Sequence, residues 1–590
     1  MNRSFSFKAP KTLFYGLLFL FPISMHAQKM KLYDHTTPIE PFIVQYKHDV
    51  EAINYFYGPM PKGWGNQQAA ASPEQLARLQ RLDNEYLNKL DKFPYEELET
   101  SGQVDFILLK RKLKSDLLSL EEDESNYKRL AMYLPFAQRI FTLEKERRRG
   151  KRLAGEDVAK ELTLVVGEID QSIAALQGKT KIPDADVNFL TALLNSLDLR
   201  ITSTFDFYNG YDPEFTWWVP AIFQQVKNKL SDYKEKLGAK SDRKVFDDGS
   251  QIAGVPIGEK DINRRLKAEM ISYTATDLLK LADQEFKWCE AELLKASREM
   301  GFGDDWRAAQ EKVKNSYVPI GEQPELIMKL YNDAQQFIEQ NKLMDIPELA
   351  DETWGMIMMT PERQRVNPFF TGGREISISY PTNTMDQQAK LMSMRGNNPY
   401  FSRGTVQHEL IPGHHLQYFM NRRYKPYREE AFNTPFWTEG WTLYWELLLY
   451  SKGFAKTPEE RIGMLFWRMH RCARITFSIK FHLGEWTPQQ CIDYLVNRVG
   501  FESANAHGEV KRSFEGSYDP LYQLAYLVGG LQLMRIKEEV VDQGKMSYAA
   551  FHDRVIKENY LPMEMLRAII KGEKLKPDHE TNWKFYHFNN

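Results

Sequence analysis

The run Gln407-His408-Glu409-Leu410-Ile411-Pro412-Gly413-His414-His415 constrains this chain more than any other segment. In an unbroken HExxH helix, two histidines four residues apart share a face. The Glu beside the first then reaches water on a metal held between them. Here the fourth position after His408 is Pro412. Proline has no N–H for the carbonyl of His408, and its ring collides with that carbonyl. No regular helix runs through this point. On a straight helix His408 and His415 would share a face, but about 10 Å apart along the axis. Zinc takes imidazole nitrogens at about 2.1 Å. The histidines meet one ion only if the Pro412-Gly413 turn absorbs about two residues. That places His414 where the fourth position would have been, with His415 as the alternative second ligand.

A carboxylate follows in Thr438-Glu439-Gly440-Trp441, 25 residues after His414. A catalytic zinc site has three protein ligands and an open position. His408, His414 and Glu439 supply that set for Zn2+, and Glu409 is the general base. Each residue alone reads more simply as a packed histidine or a solvated carboxylate. Glu446 lies seven residues after Glu439, on nearly the same helix face. It either orients His408 or His414 from behind or forms a plain salt bridge.

The run His408–His415 resembles the HExxPGHH signature of a large bacterial family catalogued as a domain of unknown function and regarded as gluzincin-like zinc metallopeptidases. The resemblance continues through Phe436–Trp441, Tyr444 and Glu446, then through His482–Tyr494, Asp519–Leu533 and Phe551–Asp553. It thus covers at least residues 400–570. Two positions depart from it: Ser478 and Lys480 stand where the family has an Asp and a Gly. The resemblance implies peptide hydrolysis inside a large helical bowl or clam with a deep cleft. It also implies a tyrosine that donates to the developing oxyanion. Tyr526 is the candidate, with Tyr522 one turn away as a substrate contact; the plain alternative is two core tyrosines. His482 is a second candidate substrate contact, or a packed histidine.

The net charge of −2 gives no electrostatic reason to expect nucleic acid as a partner. The three cysteines, Cys289, Cys472 and Cys491, are no disulfide framework. Cys472 and Cys491 either pair or remain buried thiols. No GxSxG or GxxxxGK[ST] pattern occurs, which argues against a serine hydrolase or a nucleotide enzyme. At the N-terminus, Lys8 and Lys11 precede the apolar run Leu13–Met25, and a small residue, Ala27, follows it. This predicts a signal peptide cut after Ala27 and export to the periplasm or beyond. The run is short for a membrane span, and no cysteine follows it for lipid attachment. The expectation is therefore a chain without stable membrane attachment after signal removal.

Amphipathic periodicity predicts helices over 73–120, 126–146, 156–178, 185–207, 222–240 and 258–300. A second series is predicted over 402–424, 436–453, 458–483, 487–498, 520–542 and 547–557. Arg374–Tyr380 alternates like a strand, either a surface hairpin or an edge beside the site that takes an extended peptide. The predicted fold is mainly α with a small β element. Residues 1–27 are the signal, 28–350 one helical wall of a cleft, and 351–590 the catalytic region. The predicted function is an exported zinc peptidase acting on short peptides. The alternatives are a vestigial helical peptide-binding protein and a zinc amidase or esterase acting on a non-peptide substrate. The sequence leaves oligomeric state open, and exo- versus endo-action too, with a lean to exo- or dipeptidase-type cleavage; a carboxypeptidase needs a fixed cation for the terminal carboxylate, for which Arg474 and Arg535 are available but unranked.

Overall fold

In the computed structural model the described residues are 36–59, 69–178, 181–243, 246–364, 367, 369–515 and 518–588. The signal segment predicted over 1–27 lies outside them. Among the described residues the protein is mainly α-helical, with one two-stranded sheet.

Two long predicted helices are each two helices, broken by local chemistry. Residues 73–120 divide into Pro73–Leu90 and a helix that begins at Thr100. Pro94 stands between them and disfavours helical geometry at the residue before it. Residues 258–300 divide at Thr274, whose side chain caps the N–H of Asp277 while Asp277 returns the bond. That reciprocal capping starts α1 (Ala275–Glu299). The helices between residues 130 and 237 bury a core of their own, with Leu162, Val165, Leu194, Val226 and Leu230 at its centre.

The second half carries the site. β1 (Gly355–Met358) and β2 (Glu375–Ile378) are followed by α2 (Pro399–Glu409), α3 (His414–Asn421), α4 (Pro435–Ser451) and α5 (Pro458–His482). Then come α6 (Ser503–Phe514), α7 (Tyr522–Val540) and α8 (Tyr548–Lys557). The strand predicted at Arg374–Tyr380 is present as β2, but it pairs in parallel with β1, Gly355 opposite Glu375. It is therefore no hairpin. Its other edge is also occupied, because Ser377 exchanges both backbone bonds with Thr371.

α4 is the central helix. Trp437, Trp441, Tyr444 and Trp445 are buried together with nearly every other residue of the helix. A helix apolar all round belongs in a core, and each such ring contributes roughly 2–3 kcal/mol by leaving water. α4 packs tightest against α7, where Gly440 faces Gly529. A Cβ on Gly440 would stand 2.8 Å from the Cα of Gly529, so only glycine permits this approach. The three cysteines are all free and buried.

Candidate metal centre

Asn398 caps α2 by accepting from the N–H groups of Tyr400 and Phe401, with Pro399 in the first turn. The helix stops at Glu409, the chain turns through Leu410–Gly413, and α3 restarts at His414. The Ile411–Pro412 peptide in this turn is cis. Gly413 folds against the end of α2, where a Cβ would lie 1.8 Å from the carbonyl oxygen of His408. Trp441 pins the turn by donating Nε1–H to the Pro412 carbonyl at 2.8 Å.

The turn brings His408 and His414 together, with ring centroids 5.0 Å apart. His415 faces elsewhere. Its two ring nitrogens lie 3.0 Å from the carbonyls of Arg374 and of Ala350. A histidine whose nitrogens both meet backbone carbonyls offers no free lone pair to a cation.

Glu439, the fifth residue of α4, completes the cluster. Its Oε2 lies 3.3 Å from Nε2 of His414 and 3.7 Å from Nε2 of His408. That oxygen is buried and makes no hydrogen bond. The other oxygen, Oε1, accepts the hydroxyl of Tyr522. Ligands about 2.1 Å from a tetrahedral ion stand about 3.4 Å from one another. The orphaned oxygen therefore stands from each nitrogen at about the spacing of two ligands on one zinc tetrahedron, and the donor set suits zinc.

Behind His408, Nδ1 lies 2.6 Å from Oε1 of Glu446, which also accepts from Arg471 at 3.1 Å. Burial alone would lower the pKa of His408, but the carboxylates of Glu439 and Glu446 push it up to about 9. The same negative charge favours a cation at Nε2. Burial raises Glu439, yet the charge of His414 and then of His408 outweighs it and holds this carboxyl well below its usual range. Glu409 behaves oppositely. Burial raises it, and the two histidines only partly offset this. Ligating atoms of His408, Glu409 and His414 all lie within 4.8 Å of one another, so Glu409 is beside the cluster.

The cluster opens on a cavity of about 390 Å³. Its wall includes Tyr522, Tyr526 and Tyr518 on one side and the Thr371-Gly372-Gly373 segment on another. The Tyr526 ring stacks on His408 at 6.2 Å. Burial raises the pKa of Tyr526, so it keeps its proton at neutral pH.

His482 is not brought to the cavity wall. It is buried at the end of α5 against Phe481 and Phe514, in the packed position that was the alternative to a substrate contact. Ser478 reaches the carbonyl of Pro520, and Lys480 pairs with Glu485; neither lines the cavity. Arg535 pairs with Glu538 and is likewise off the wall. Sequence reading gave no place to Arg471 and Arg512 and left Arg474 unranked, yet all three line the cavity. For Arg471 and Arg474 the available signal was a series of three arginines at three-residue spacing, Arg468, Arg471 and Arg474, inside the apolar stretch Ile462–Phe481. Charges in such a stretch are buried only when partnered.

The fold and the buried histidine–carboxylate cluster define a large helical protein with a candidate metal centre. Over residues 60–570 the chain matches the family described as "Bacterial protein of unknown function (DUF885)", and it belongs to that family. No curated protein matches it. Its fold is similar to that of a protein from Shewanella oneidensis described as a lipoprotein of unknown function. The TM-score is 0.62 at 15% identity, covering 90% of this chain and 99% of that one. A protein from Colwellia psychrerythraea, also described as a lipoprotein, superposes with a TM-score of 0.55 at 15% identity, over 90% and 98% of the two chains. Lipoproteins are held at a membrane by their lipid. These two neighbours overturn the sequence-based expectation of a chain without stable membrane attachment, which is withdrawn.

Proposed function

We propose that this protein is an exported zinc metallopeptidase of gluzincin type that hydrolyses short peptides. The observation that carries the reading is the buried, unbonded Oε2 of Glu439 at tetrahedral spacing from Nε2 of His408 and of His414. A buried carboxylate oxygen without a partner is costly unless a cation satisfies it. His408, His414 and Glu439 would hold the ion. When bound, zinc supplies Lewis-acid polarisation and makes water nucleophilic near neutral pH.

The remaining chemistry belongs to the chain. Glu409, its proton affinity raised by burial, takes the proton of the attacking water and hands it to the leaving amine. Tyr526, protonated on the cavity wall, donates to the oxyanion that forms on the former carbonyl. Tyr522 fixes Glu439 through Oε1 and leaves Oε2 for the ion. The peptide as substrate rests on the family resemblance. So does a bowl- or clam-shaped enclosure around the cavity, which would admit oligopeptides rather than folded proteins. Export rests on the N-terminal apolar run and on the description of both structural neighbours as lipoproteins.

Elemental analysis of purified protein and mass spectrometry of a digested peptide library test the reading together. One zinc per chain and cleavage that stops on chelation are expected. Glu409→Gln should retain the zinc and lose turnover by orders of magnitude. Activity that survives complete metal removal would sink the proposal. Intact peptide binding with no cleavage would favour a vestigial binding protein. Hydrolysis confined to non-peptide amides or esters would move the enzyme to another substrate class.

A further inference from the structure

Three arginines of the cavity wall, Arg471, Arg474 and Arg512, meet only two carboxylates of their own, Glu446 and Glu509. Arg471 is matched by Glu446. Arg474 and Arg512, in contrast, share one carboxylate. Arg474 Nε donates to Glu509 Oε1 at 2.7 Å, and Arg512 Nη2 lies 2.6 Å from Glu509 Oε2. Arg512 also donates Nη1–H to Asn367 at 2.9 Å. Among the described residues Arg474 has no such second partner: its Nη1 is buried and unbonded, and the residue is only 2% exposed. His470, 3.3 Å from Glu509, brings no negative charge. Two guanidinium groups share one carboxylate, so the pair itself is one negative charge short; the other carboxylates of the wall, Glu409 and Glu439, belong to the histidine cluster. A buried positive charge left short in this way is expensive unless an anion completes it.

The position of that charge fits a substrate. The Arg474 guanidinium sits 4.2 Å from the centre of the Tyr526 ring, and that ring stacks on His408 at 6.2 Å. The guanidinium is therefore within about 10 Å of the ring of His408. An extended residue spans about 3.5 Å. A peptide with its scissile carbonyl at the candidate metal centre would carry its C-terminus towards Arg474 within one or two residues. A guanidinium held by a neighbour on one edge and free on the other is suited to a carboxylate.

We propose that Arg474, held in place by Glu509 and flanked by Arg512, binds the free α-carboxylate of the peptide, so that the enzyme removes one or two residues from the C-terminus. This rests on the peptidase reading above, and the test separates the two. The zinc-loaded protein is given one peptide as its free acid, as its C-terminal amide and with its N-terminus acetylated. Amidation should lower kcat/KM about 10- to 100-fold, mostly through KM, the range for a lost charge-assisted hydrogen bond. Acetylation should leave it unchanged. Arg474→Met should erase the difference between acid and amide, and Arg474→Lys should restore part of it. Circular dichroism and zinc content serve as checks of fold.

Binding supplies a readout that needs no turnover. N-acetylated dipeptide acid and amide are titrated calorimetrically into Glu409→Gln protein, with and without Arg474→Met. Tighter binding of the acid that depends on Arg474 supports the site even if no peptide is cleaved, in which case the peptidase reading alone falls. Equal cleavage and equal binding of acid and amide overturn the carboxylate site and leave the peptidase reading standing. An amidated peptide ending in Glu that performs as well as the free acid also overturns it, because the arginine then reads side chains.

Discussion

Glu446 Oε1 and His408 Nδ1 stand 2.6 Å apart, on α4 and at the end of α2. The imidazole donates from Nδ1, which fixes the ring and turns Nε2 towards Glu439. Outer carboxylates of this kind typically contribute 10- to 100-fold in metal affinity. Glu446→Gln should therefore weaken zinc binding by about one to two orders of magnitude while the protein remains folded. Competition against a chromogenic chelator measures it. Unchanged affinity would mean that Glu446 serves only as a counter-ion for Arg471.

His414 and His415 make opposite predictions from adjacent positions. His414 faces Glu439, whereas His415 bridges the carbonyls of Arg374 and Ala350 and ties α3 to the β2 segment. His414→Ala should lose the ion and keep its melting temperature in metal-free buffer. His415→Ala should keep the ion and lose about 1–3 kcal/mol of stability, because it strands buried carbonyls. Zinc content and chemical denaturation of the two variants decide. The reverse pattern would place the ligand one residue further on.

These contrasts show what was legible beforehand. The interruption at Pro412 was readable because proline acts on its own backbone, and the size of the turn followed from the reach of two imidazoles to one ion. Glu446 was readable from helical spacing alone. Arg471 and Arg512 were not, and Arg474 could not be ranked above Arg535, because periodicity reports that a face is buried and not that it borders a cavity. β1 escaped because four residues, Gly355 to Met358, carry no alternation and pair with a strand across a connection of 16 residues. The division of α1 from its predecessor had a visible cap in Thr274 and Asp277. The apolar spacing on either side masked it.

His552 gives the chain a pH dependence away from the candidate metal centre. Leu343 O, 2.7 Å from Nδ1, can only accept, so Nδ1 carries the proton and Nε2 accepts from the Tyr444 hydroxyl at 2.7 Å. That is the neutral imidazole. Burial lowers its pKa to about 3, against about 6.5 when unfolded. A depressed folded value means that the contribution is complete above about pH 6.5 and is lost as pH falls towards 3. His482, lowered by burial to about 4, acts in the same sense. Glu558 is raised by burial but held down to about 2 by Arg428 and Lys425, so its contribution is lost only as pH falls from the ordinary 4.5 towards 2. Glu269, Asp83 and His408, whose values are raised, act in the opposite sense, so the test is a difference: between pH 7 and pH 5 acid should cost His552→Gln less melting temperature than it costs the unaltered protein. Parallel curves for the two proteins, followed by scanning calorimetry, would show that His552 is not the source.

The contact between Gly440 and Gly529 sets the distance between the ligand helix and the tyrosine helix. A Cβ on Gly529 would stand 2.4 Å from the carbonyl oxygen of Phe436, and the backbone on either side cannot yield without moving α7 off α4. Tyr522, which holds Glu439, and Tyr526, which stacks on His408, both ride on α7. Alanine is the better helix former by about 1 kcal/mol, so propensity alone favours Gly529→Ala. Overpacking costs about 1–3 kcal/mol, and here it should win. The variant is expected to unfold at lower denaturant and to bind zinc less tightly, because the Tyr522 bond to Glu439 is stretched. Gly167→Ala is the matched control. It sits inside the helix Gly155–Gln177 with nothing within 4 Å of the added methyl, so it should gain stability and leave zinc affinity alone. If both substitutions stabilise the protein equally, the close approach of α4 and α7 does not constrain the site.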